Sequence, residues 1–280
     1  MTATDPDAPP ACARYAESLR TVLLLRAEPV GVRALREDDC RTPSGFPRPT
    51  PAVYYCAAVM RAAAGESFCL GHADIVCDTA PRTLGLEPGF FNDDFIESYV
   101  TGGLYADRLR ADLVLAGVPV LSGMATVEIA PLRRFTDAQP PDVVVMGLAP
   151  YAAMRLAQAA AYRGHRVRNE PIGMHGICAE CTAGPLLTGE LSLSLLCSGT
   201  RHVAGWPDSE LAVGVPYALL PEIADGLWES IGRFETDSRK SVIGNRCKAG
   251  PVQDRTPSPE ALEHGTSYFS PCGPGPESQR

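Results

Sequence analysis

Along the chain, stretches with apolar residues at every third or fourth position alternate with shorter apolar runs, the pattern of interleaved helices and strands. A first helix is expected over Ala11–Arg26, with Leu19, Val22 and Leu23 on one face, and Glu28-Pro29 stops it. Val30–Leu35 reads as a strand, and the prolines Pro43, Pro47, Pro49 and Pro51 make the following segment loop. Pro51 suits the first turn of a helix over Ala52–Ala64 that Gly65 closes. Ser67–Leu70 is expected to be extended and Thr79–Leu84 helical, with residues 90–117 helical in two pieces broken at Gly102-Gly103.

The second half opens with an extended stretch, Ala125–Leu132, and a strand over Asp142–Met146. The unbroken apolar run Val143 to Met146 suits a strand covered on both faces. Pro150 starts a helix with Met154, Ala157 and Ala161 on one face, and Gly164 ends it. Pro171–Ile177 and Leu191–Leu196 read as extended, and Pro216 opens a helix in which Leu220, Ile223, Leu227 and Ile231 recur at helical spacing. The fold class expected is mixed α/β, a single domain over 11–247, with a polar leader at 1–10 and a disordered Pro/Gly-rich tail at 248–280. Strand, helix, Gly, extended segment, Cys, helix occurs twice, which suggests an internal pseudo-two-fold repeat with halves 11–120 and 121–235. In that alignment the helix 52–64 matches the one after Pro150, and Cys77 matches Cys178, each before a helix N-terminus.

Composition narrows the function. The 280 residues are 45% hydrophobic, enough for one large domain. The net charge of −8, with Lys240 and Lys248 the only lysines, offers no basic field for a nucleic-acid backbone. No apolar stretch is long enough to span a membrane, and residues 1–10 lack the features of a signal peptide, so a cytoplasmic protein is expected. Ten cysteines in a reducing compartment are more than packing needs, and they point to a metal, a cluster or thiol chemistry.

Cys178-Ala179-Glu180-Cys181 is a C-x-x-C, compatible with zinc, an iron–sulfur cluster, a dithiol or two cysteines at a helix start by chance. Cys197-Ser198-Gly199 follows an apolar strand and reads either as a thiolate beside free N–H groups or as a buried strand end. From spacing alone Cys56 reads as core, one turn from Val53 and Met60. His175, three residues before Cys178, reads either as a structural histidine or as a donor to a bound group, and Arg201 as counter-charge for an anion. Dinucleotide, Walker, hydrolase and zincin signatures are all absent.

The runs Tyr55-Cys56-Ala57-Ala58-Val59-Met60-Arg61, Asp74-Ile75-Val76-Cys77 and Ser194-Leu195-Leu196-Cys197-Ser198-Gly199-Thr200-Arg201 go together with Cys178 before Pro185-Leu186-Leu187-Thr188-Gly189. Over about residues 15–235 this order resembles the uncharacterised archaeal and bacterial family called domain of unknown function 169. The resemblance carries no settled activity but implies which thiols matter: Cys56, Cys77, Cys178 and Cys197 fall on the family's cysteine positions. Cys181 falls where the family has a small polar residue, and Thr200 where many members have a further cysteine.

The first expectation is therefore a [4Fe–4S] protein, an enzyme of small-molecule redox or sulfur chemistry, with those four cysteines as ligands and Cys181 as a substitute for Cys56. Alternatives are a structural zinc protein on the same thiolates and a metal-free module for a small anionic ligand. Cys12, Cys40, Cys247 and Cys272 are expected to stay apart from the site.

Overall fold

A computed structural model of the chain describes residues 9–88, 91–168 and 173–249. Most of the expected leader and tail, Cys272 and the start of the segment at 171–177 lie outside these residues.

The first half runs α1 (Ala11–Val22), β1 (Val30–Leu35), α2 (Tyr55–Ala63), β2 (Phe68–Leu70), α3 (Thr79–Thr83), α4 (Asp93–Thr101), α5 (Arg108–Leu115) and β3 (Thr126–Pro131). The second runs β4 (Val143–Leu148), α6 (Pro150–Tyr162), β5 (Val167–Arg168), α7 (Gly176–Cys178), a π-helical turn at Ala179–Ala183, α8 (Gly184–Thr188) and β6 (Leu191–Ser194). It closes with α9 (Ser198–His202), β7 (Leu211–Pro216), α10 (Leu220–Glu229), α11 (Ile231–Phe234) and α12 (Asp237–Ala249). Strands and helices interleave as expected, in one mixed α/β domain. Among the described residues no helix is long and apolar enough to cross a membrane.

The strands form one sheet in the order β2-β3-β1-β4-β7-β6-β5, antiparallel except for the β5–β6 pair. Alternate residues of the central strands feed two cores. Val144, Met146, Val213 and Val215 pack under α1, α6 and α10 on one face. Val30, Val32, Val127, Ile129, Val143 and Val145 pack under α2, α3 and the α7–α8 stretch on the other. A small satellite core, built on Phe91, Phe95, Ala111 and Leu115, ties α4 to α5.

The two halves share one ladder pattern, in a register that differs from the sequence alignment. The β1–β3 ladder runs from Val30↔Pro131 to Leu35↔Thr126, and the β4–β7 ladder from Val143↔Pro216 to Leu148↔Leu211. Each terminal proline leads into a 3₁₀ turn. The first N–H of that turn returns to the residue before the opening strand, Leu132 to Pro29 O at 2.8 Å and Tyr217 to Asp142 O at 2.9 Å. The flanking strands match too, with Phe68 opposite Ile129 and Ser192 opposite Gly214, each two residues before its proline. The pairs Val30↔Val145, Gly31↔Val144 and Val32↔Val143 interchange under a two-fold axis through Gly31 and Val144.

Under this axis α2, which leads into β2, matches the α7–α8 stretch, which leads into β6. Cys77 therefore corresponds to Cys197, and Cys56 to the Cys178 region. The expected match of Cys77 with Cys178 is corrected. That alignment took the first helix after each opening strand as equivalent, yet α2 and α6 lie on opposite faces of the sheet. Helix α6 with β5 is an insertion of the second half, and α4 with α5 one of the first.

Candidate functional site

The π-helical turn after α7 widens the backbone and lays it against β7, where Gly214 leaves room. A Cβ at that position would drive into the Cys181 carbonyl. This contact sinks Cys181 into the core at 0% exposure and leaves Cys178 beside a cavity. Insertions of this kind cluster at functional sites.

The cavity holds about 200 Å³, and Cys56, Cys77, Cys178 and Cys197 all line it, with His175 and Thr200 between them. Each thiol arrives on a different element. Cys56 is the second residue of α2, and Cys178 the last of α7. Cys77 and Cys197 stand just before α3 and α9, and each accepts from the N–H three residues on, Ala80 at 3.3 Å and Thr200 at 3.4 Å. The two sulfurs thus occupy the N-cap role usually filled by an oxygen, at positions related by the two-fold. Gly176 has φ of 45°, and a Cβ there would lie 3.0 Å from the Cys197 nitrogen and 3.2 Å from its sulfur. Only glycine lets the turn before Cys178 touch Cys197.

Among the described residues, no Asp, Glu, Lys or Arg side chain lines the cavity. Burial pushes the Cys56 thiol up to about 11, and burial with the neighbouring Cys77, Cys197 and Cys56 thiols lifts Cys178 well above the ordinary range. Burial also raises Cys77, against the pull of the Ala80 N–H. Raised in this way, these thiols stay protonated at neutral pH in the absence of a cation.

His175 is 3% exposed, stacked against Phe91 at 5.7 Å and Tyr99 at 6.0 Å, with Nε2 3.5 Å from the Tyr105 hydroxyl. Burial lowers its pKa to about 4, so the ring is neutral. Its carbonyl accepts from the Cys178 thiol at 3.0 Å. Glu180, read from the sequence only as a spacer in the C-x-x-C, holds this turn. Its carboxyl accepts from the Gly173 N–H at 3.2 Å and bonds to the Ser194 hydroxyl. Ser194 Oγ in turn accepts from the N–H of Leu196, whose φ of 70° turns the chain into Cys197.

Three expected placements change. Cys181 is in the core rather than on the cavity wall, so it offers no replacement for Cys56. Arg201 is spent on backbone, donating to the carbonyls of Pro207 at 2.6 Å, Leu195 at 2.9 Å and Glu210 at 3.0 Å. It staples the α9 loop and does not line the cavity. Cys178 lies within helical structure, where an extended segment was expected up to Ile177. Cys12 and Cys247 are buried in the core on the opposite face of the sheet, and Cys40 is exposed. No group of three or more His, Cys, Asp or Glu side chains among the described residues is drawn together as for a single ion. Thr200, read from the sequence only as standing where many family members have a further cysteine, places its hydroxyl 3.1 Å from Cys197 Sγ.

The chain is 31% identical over 132 residues to an uncharacterised protein, MJ0308, of Methanocaldococcus jannaschii. The match covers 46% of this chain and 55% of that protein, so the chain spans about half the length of the relative. No solved structure matches it. The model of the family described as "Uncharacterised ArCR" matches residues 18–226, the stretch that contains both ladders and all four cavity cysteines, and the chain belongs to this family, domain of unknown function 169.

Proposed function

We propose that this chain is an iron–sulfur protein in which Cys56, Cys77, Cys178 and Cys197 hold a [4Fe–4S] cluster. The observation that carries the reading is the convergence of four thiols, two from each half, on one cavity with no Asp, Glu, Lys or Arg among its described lining residues. Four thiolates are the number such a cluster needs. Thiols spaced around a cavity suit a polynuclear group better than one zinc, which draws its four sulfurs to about 3.8 Å from one another. The N–H groups of Ala80 and Thr200 supply hydrogen bonds to sulfur of the kind that stabilise cluster charge. When bound, the cluster supplies one-electron transfer or sulfur-directed ligand chemistry to a small-molecule partner. Half-exposed Leu104, on the cavity wall, is where that partner would enter.

Anaerobic purification followed by iron, sulfide and visible-absorption analysis tests the proposal. About four irons and four sulfides per chain are expected, lost in Cys178→Ser and Cys197→Ser and kept in Cys12→Ser. A colourless, iron-free protein after reconstitution overturns the reading, and one zinc per chain with no iron replaces it with the structural-zinc alternative.

A further inference from the structure

Residues 91–120 form a unit apart from the rest of the fold. Helices α4 and α5 pack chiefly on each other, through a satellite core separate from both sheet cores. Among the described residues the ion pairs of this stretch are internal, Arg108 with Asp93 and Asp112, and Arg110 with Asp107. Its backbone hydrogen bonds stay inside it as well. The chain enters and leaves through one neck, where the Leu121 N–H donates to Thr83 O and the Met124 N–H to Gly85 O, both at 2.9 Å. The two passes touch there. Gly85 has φ of 71°, and a Cβ on it would lie 2.7 Å from the Leu121 carbonyl carbon. Beside the neck an open groove of about 520 Å³, walled by Val118, Val120 and Leu187, leaves the unit room to swing.

The contacts that hold this unit down lie at the cysteine cavity. Tyr99 and Leu104 belong to the cavity wall, and the Tyr99 hydroxyl is hydrogen-bonded to Thr79 Oγ1 at the start of α3. Phe91 and Tyr99 stack on His175, and the Arg82 guanidinium lies over the Phe95 ring at 5.0 Å. Ring faces and a hydroxyl pair part more easily than an interdigitated core or a strand ladder, so a unit held this way opens below the free energy of global unfolding. Beneath it sit His175, at 3% exposure, and Cys178, at 9% the most shielded of the four thiols.

We infer that residues 91–120 are a hinged cap over the cysteine cavity, latched by Tyr99 to Thr79, and that lifting it about its neck admits a small-molecule partner to Cys178 and His175. The inference concerns the cavity itself, whatever group the thiols hold, so it stands or falls apart from the cluster reading. Its test is carbethoxylation of His175 by diethyl pyrocarbonate in the full chain as purified, read by peptide mass spectrometry. Exposed His202 serves as reference, and amide hydrogen exchange in the central strand β4 reports global opening. Tyr99→Phe is expected to speed His175 modification about fivefold, the weight of one hydrogen bond, with His202 and β4 unchanged. Thr79→Val has the same effect, and the double variant goes no further than either single one. Unchanged His175 rates in the single variants overturn the inference, as does faster exchange of β4 in step with them. Effects that multiply in the double variant overturn it too, because the two hydroxyls then act separately. If Tyr99→Phe fails to fold, Thr79→Val decides by the same two readings.

Discussion

A histidine kept neutral by burial makes stability depend on pH in a defined direction. His175 has a folded-state pKa of about 4, against about 6.5 in an unfolded chain. Between those values the unfolded chain binds the proton and the folded one does not. Stability is therefore full above pH 6.5 and is lost as pH falls toward 4, by about 3 kcal/mol in total. Urea unfolding of the parent and of His175→Gln at pH 7 and pH 4.5 should show a smaller acid loss in the variant; equal losses would place the acid sensitivity elsewhere. At this scale the sequence was partly legible. The four cavity cysteines were selected by resemblance, because their run context is distinctive, whereas spacing alone made Cys56 a core residue. Arg201 and Cys181 were misplaced for physical reasons no pattern displays. A guanidinium near a thiol serves backbone carbonyls as readily as an anion, and a π turn rotates the second cysteine of a C-x-x-C away from the first.

Between elements, the two ladders can be compared position by position. In the β1–β3 ladder Arg33 lies opposite Glu128, and both side chains are fully buried in an ion pair with the Arg33 Nε 2.8 Å from the carboxylate. The same place in the β4–β7 ladder holds Met146 opposite Val213. The difference follows from what covers each pair. Helices α6 and α10 cover the apolar pair, while the loop residues Thr42 and Ser44 cover the charged one and bond to it. Arg33→Met alone should cost about 3–5 kcal/mol, since it strands a buried carboxylate. Adding Glu128→Val should return most of that loss, and denaturant titration of the single and double variants checks it; no recovery would show that the loop depends on the charges. Strand β1, helix α6 and the break between α4 and α5 were legible because periodicity and Gly/Pro punctuation agree there. Strand β7 was not: Val213-Gly214-Val215-Pro216 carries two residues poor in strands, and its glycine is required by the Cys181 carbonyl above it. Helix α12 was missed as well, being polar around most of its circumference with Gly244 inside.

Over the whole molecule, neither half owns a complete core or a complete site. Helix α1 of the first half packs on α10 of the second, and each half brings two of the four cavity cysteines. Fragments separated in the loop after Phe135 should therefore fail to unfold cooperatively or to take up iron alone, and should regain both when mixed. Cooperative unfolding of one fragment by itself would contradict this. The repeat was visible in the sequence as a recurrence of element types, but its register was not, because each half carries its own insertion and only strand pairing reveals which helices correspond. The seam between the halves is short, three residue pairs against six in each flanking ladder. In the language of subunits it is an isologous interface contained within a single polypeptide, the same edge of the same unit meeting itself. Covalent linkage frees each copy to vary alone: one keeps an ion pair where the other keeps a methionine, and one grows a helical pair over the cavity while the other grows a helix behind the sheet. A strict homodimer has to repeat every such change twice, and so cannot give a two-fold binding site two different sides.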